Sequence, residues 1–169
     1  MSKPAAPATP AQAFVEQRRA RVLNAIGRTP DIIQCNETLS PERLAFFRRE
    51  AEDLYWIELS WEQLTVEEAV LGGHMTEMVF PGFLAFIDGL LVERVPADAL
   101  SPARPHPDAV EDILTFVAER HAAATRELEA GADSQKVVWA RMMAAELLDL
   151  VLYRLYRLSP AEVEALEGK

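Results

Sequence analysis

Five side chains in this 169-residue sequence have the types and spacing that could hold a metal: Glu58, Glu62, His74, Glu77 and His121. Glu58 and Glu62 are one turn apart and share a face if their segment is helical. His74 and Glu77 also have one-turn spacing. Their order is the reverse of the Glu-x-x-His pair with which helical bundles hold two metal ions between facing helices. His121 falls on an apolar helical stripe, and Glu146 with Asp149 adds an acidic pair on a later helix. Carboxylates in apolar surroundings need partners, because an unpaired buried charge is costly. The reversed order is not repeated, however, and arginines are at hand as partners. A metal-holding bundle enzyme or redox protein is therefore the second reading, and the first expects no metal and no cofactor.

Other chemistry finds less support. Cys35 is the only cysteine, with no histidine near it in sequence, and most serines and threonines stand where helix caps are needed. There is no glycine-rich phosphate loop and no dinucleotide fingerprint. Gly72-Gly73 before His74 follows nothing that reads as a strand, so a kink or close helix packing is its simpler explanation.

The elements that would position these residues read as helices. No long alternating run and no Asn-Gly or Asp-Gly turn occurs, whereas helix starts and stops are frequent. A first helix is expected from about Pro10 to Ile26, ended by Gly27. Ser40-Pro41 opens a second, whose apolar residues spread around it beyond Leu54, and Thr65-Val-Glu-Glu68 fits a capping box. Residues 69–92 are the most apolar stretch. His74, Glu77 and Asp88, with Pro81-Gly82, argue for two short buried helices hinged there and against a membrane span. A proline-rich connection precedes a helix from Pro107 to about Gly131. Its positions Val110, Leu114, Val117, His121, Ala124 and Leu128 form one stripe. Ser134 caps a helix expected to run to Leu158, and Ser159-Pro160 opens a short last one. The fold class is all-α, an irregular bundle of five to seven helices. The expected division is an Ala/Pro-rich arm over residues 1–12 and a single domain over 13–169.

Composition narrows the partners. The net charge is −10, with eight Lys/Arg against five Asp/Glu in residues 1–50 and nine against twenty-two in residues 51–169. An acidic body repels nucleic-acid phosphates and anionic lipids, so neither a membrane nor direct nucleic-acid binding is expected. The N-terminal arginines are expected to pair with the chain's own acids, and an acidic DNA mimic is a further alternative. The lone cysteine excludes an intrachain disulfide and favours a cytoplasmic location.

The helix after Ser134 is apolar on three sides, more than one neighbour covers. Trp139, Val151, Leu152, Tyr153, Leu155, Tyr156 and Leu158 are accordingly expected at an interface, with a second copy or another protein.

Residues 148–168, LDLVLYRLYRLSPAEVEALEG, resemble the C-terminal tail of fused restriction–modification enzymes carrying an adenine-specific DNA methylase. Asp149, Tyr153, Leu155, Tyr156, Leu158, Glu162 and Glu167 match in place, Ser159 stands for threonine, and Arg157 replaces the family's helix-ending glycine. The methylase's Asn-Pro-Pro-aromatic motif is absent. What the resemblance implies is a structural or docking tail without a catalytic role. The leading expectation is a non-enzymatic protein–protein interaction or accessory protein, linked through that tail to a restriction–modification system.

Overall fold

The computed structural model describes residues 8–30, 32, 39–59, 75–91, 105–132 and 134–168. Among them are seven helices and no strand: α1 (Pro10–Ile26), α2 (Pro41–Glu58), α3 (Met75–Val79), α4 (Pro81–Leu91), α5 (Pro107–Glu129), α6 (Gln135–Leu155) and α7 (Pro160–Glu167). The all-α class is as the sequence predicts.

Local chemistry sets most boundaries. Thr9, Ser40, Ser134 and Ser159 each accept a backbone N–H of the helix they precede. Proline follows the cap of α1, α2 and α7, where its missing N–H costs nothing. Gly27 and Gly131 end α1 and α5 in the left-handed region. Helix α1 spans Pro10–Ile26, as the sequence predicts, and opens on a reciprocal capping box between Thr9 and Gln12. One boundary differs from expectation. Helix α6 stops at Leu155, three residues early, because Arg157 turns left-handed.

The framework is the hairpin of α5 and α6, the most extensive helix pair in the molecule. It is antiparallel: Arg19 of α1 bridges Glu111, near the start of α5, and Tyr156, just past the end of α6. Helix α1 lies along α5 in the opposite direction, with Phe14 at His121 and Arg19 at Glu111. Helix α2 covers another side of α5, running the same way, and α4 packs on α2, α5 and α6. Val110, Ile113, Leu114 and Val117 of α5 meet Leu147, Leu148, Val151 and Leu152 of α6 in a core with no exposure.

Helix α6 is thus central, touched by α1, α3, α4 and α5. Most of its apolar circumference is covered from within the chain, with Val138 and Met142 near its start left exposed. Trp139, Val151, Leu152, Tyr153, Leu155 and Tyr156 are all buried, and Leu158 packs partly buried against the core. The expectation that these residues form an interface is corrected accordingly. A helix surrounded by four others carries the same pattern as a dimer seam. No helix among the described residues is long and apolar enough to cross a membrane.

Candidate functional site

The proposed metal ligands do not converge. Glu58, at the end of α2, accepts the backbone N–H groups of Gly82 and Phe83, both at 2.7 Å, and so caps the start of α4. His121 lies elsewhere, stacked on Phe14 with ring centroids 3.9 Å apart. Burial holds its pKa below the ordinary imidazole value, with Arg141 and Arg18 acting the same way. Glu77, on α3, lies beside Tyr153 and Arg154 in a shallow cleft between α6 and α7. Glu62 and His74 lie outside the described residues, as do Cys35, Gly72-Gly73 and the box at Thr65. Among the described residues no group of three His, Cys, Asp or Glu side chains is placed to hold a metal.

Glu146 and Asp149 have other occupations. Glu146 accepts a hydrogen bond from the buried Thr76 hydroxyl. Asp149 pairs with Arg18 at 2.7 Å and with Arg21 at 3.5 Å. Burial pushes its pKa up while the two arginines oppose that shift, and desolvation wins. The basic residues of α1 are spent in the same way. Arg19 makes a two-pronged contact with Glu111 and donates to the Tyr156 hydroxyl, and Arg28 forks onto Glu162. Arg28 and the Ser159 capping box together hold Glu162 down to about pKa 2. Arg48 reaches Glu52, Asp112 and Glu119. The basic stretch is a clamp onto the chain's own acids.

Several of the matched tail residues have structural partners in this clamp. Asp149 and Tyr156 hold α1, Leu155 is core, and Glu162 caps α7. Arg157, at the family's glycine position, takes the left-handed conformation itself, with φ of 53°.

A groove of about 770 Å³ lies where the end of α2 meets α5 and the start of α6. Ala123 and Ala124 of α5 bring no bulk to it, which keeps it deep, and Tyr55, Leu59, Val137 and Trp139 are among its walls. Tyr55 is fixed by stacking on Phe80 and by edge contacts with Trp56 and Phe116. Burial raises its hydroxyl to a pKa of about 12, against the pull of Arg120. Trp56 also lines the groove yet is 54% exposed, and neighbouring Ile57 is 72% exposed.

Arg120 is the partly buried cation of the groove. Its guanidinium carbon lies 5.5 Å from the centre of the Trp56 ring and 5.8 Å from that of Phe116. Its Nε is buried without a hydrogen-bond acceptor, and no carboxylate among the described residues comes within ion-pair distance of it. Arg126, Lys136 and Glu127 also border the groove. The aromatic residues were legible as large apolar faces. The groove and the part of Arg120 were not, because they arise only where three helices separated in sequence meet. No family model, curated protein or solved structure matches the chain.

Proposed function

We propose that this chain acts by binding, as a non-enzymatic helical interaction protein whose recognition surface is the groove between α2, α5 and α6. The observation that carries the reading is an apolar, aromatic-walled concavity flanked by Trp56, more than half exposed, and by the still more exposed Ile57. Exposed aromatic and large apolar groups around a pocket cost solvation unless something covers them, and Trp, Tyr and Arg are the residue types that dominate binding energy. The groups in the groove are suited to holding. Tyr55 keeps its proton at neutral pH, Ser134 is engaged as the cap of α6, and neither His nor Cys is among the lining residues.

The lone Cys35 fits a cytosolic setting, where thiols stay reduced. A role beside a DNA restriction–modification system rests on the resemblance of residues 148–168 alone. Its test is co-purification with an adenine methylase encoded alongside it.

The groove itself is tested with Nile red, a neutral dye that fluoresces in apolar sites. Wild-type protein should bind it saturably at about one per chain. Val137→Asp should lose that binding while keeping helical circular dichroism and a cooperative melt. Dye binding unchanged by Val137→Asp would remove the groove from the proposal.

A further inference from the structure

We infer that the groove takes a small amphipathic monocarboxylate, its apolar body against Trp56, Leu59 and Val137 and its carboxylate on the guanidinium of Arg120. This deepens the reading above and rests on it. Four observations lead there.

The first is the contrast among arginines. Arg18, Arg19, Arg28, Arg48 and Arg154 each meet a carboxylate of the chain, in a protein with 27 acidic residues against 17 basic ones. Arg120, lining the groove, meets none among the described residues and, like Arg43 on α2, lies over two aromatic rings instead; of the two, Arg120 is the one that borders the groove. An arginine so held is pre-aimed, and its planar fork matches a carboxylate through two parallel hydrogen bonds. The second is size: about 770 Å³ lies within the range of small-molecule sites, roughly 300–1,000 Å³. The third is composition. Aromatic and aliphatic walls with one partly buried cation, Arg120, beside the exposed Arg126, Lys136 and Glu127 fit a ligand with one charge and an apolar remainder.

The fourth is charge balance. Glu127 stands at the rim with Arg126 and Lys136, so the surroundings add only a small positive excess, and the whole chain carries −10. A doubly charged phosphate would meet that acidic body at greater cost than a singly charged carboxylate. A protein segment needs a broader contact, about 800 Å² on each partner, than one cation and one aromatic trough define.

Isothermal titration calorimetry with octanoate, octan-1-ol and octyl phosphate decides it, on wild-type protein and on Arg120→Gln. Octanoate should bind one per chain, at least tenfold tighter than the alcohol and tighter than the phosphate. Arg120→Gln should weaken octanoate at least tenfold and leave the alcohol within about twofold. If Arg120→Gln fails to fold, the wild-type preference for octanoate over octan-1-ol still decides.

Equal binding of the alcohol, tighter binding of the phosphate, or octanoate binding indifferent to Arg120→Gln overturns the carboxylate and leaves the groove reading standing. Failure of all three probes while Nile red binds does the same. Failure of Nile red as well removes both.

Discussion

Phe80 precedes α4 at a position where helices ordinarily carry a hydroxyl or short polar side chain, and its buried ring can accept no hydrogen bond. Glu58 replaces the missing cap from another helix, placing its carboxylate on the N–H groups of Gly82 and Phe83. The positive end of the helix dipole favours the same anion. Gly82 makes the approach possible, since a Cβ there would lie 2.9 Å from Glu58 Oε2. The two residues are therefore coupled. Glu58→Ala should cost about 1–3 kcal/mol of stability by stranding the two N–H groups. Gly82→Ala should destabilise when Glu58 is present. In the Glu58→Ala background the same change should stabilise, by about 0.5–1 kcal/mol from lost glycine entropy. Denaturant melts of the four proteins read this sign reversal, and additive effects would exclude the cap.

His121 offers a second test at this scale. Its folded-state pKa lies below the ordinary value, so the unfolded chain binds the proton more readily. The linkage has one sign: stability is full above the unfolded value of about 6.5 and is lost as pH falls through the depressed folded value. His121→Phe keeps a ring against Phe14 without a titrating group, so it should flatten that part of the stability profile between about pH 7 and pH 5. Identical slopes for the two proteins over that window would remove His121 as the cause. In the sequence, both Glu58 and His121 carried the signature of metal ligands. Spacing reports which residues share a helix face, but it does not report what faces them.

At the scale of elements, the punctuation was legible because it is local. Ser40-Pro41, Ser134 and Ser159-Pro160 begin helices, and Gly27 and Gly131 end them, through bonds within a few residues. The end of α6 was less so, because Arg157 does a glycine's job. It sits at φ 53° while the Leu158 N–H reaches back to the Tyr153 carbonyl at 3.0 Å and closes the turn. The left-handed conformation costs a residue with a Cβ roughly 1–2 kcal/mol. Arg157→Gly removes that cost and gives back about half of it in unfolded-chain entropy. Stability should rise by about 0.5–1 kcal/mol, read from chemical denaturation. A loss on this substitution would mean that the arginine side chain outweighs its backbone.

At the scale of the whole molecule, an apolar circumference does not distinguish the middle helix of a bundle from a helix at a seam. That is why α6 looked like an interface from sequence and proved to be core. The groove depends on the meeting of α2, α5 and α6, and no window along the chain contains all three. Charge was more informative. The basic excess of residues 1–50 and the acidic excess that follows are two halves of one internal contact, with Arg18 on Asp149, Arg19 on Glu111 and Arg28 on Glu162.

That clamp has a consequence in time. Arg18 and Asp149 are 131 residues apart, Arg19 and Tyr156 are 137, and Arg28 and Glu162 are 134. At ribosomal speeds of about 5–20 residues per second, α1 emerges on the order of ten seconds before these partners exist. During that interval Arg18 waits for Asp149, while Arg19 has Glu16 within its own helix and gains Glu111 once α5 is made. The docking of α1 onto Asp149 and Tyr156 is therefore completed only after α6 has been made.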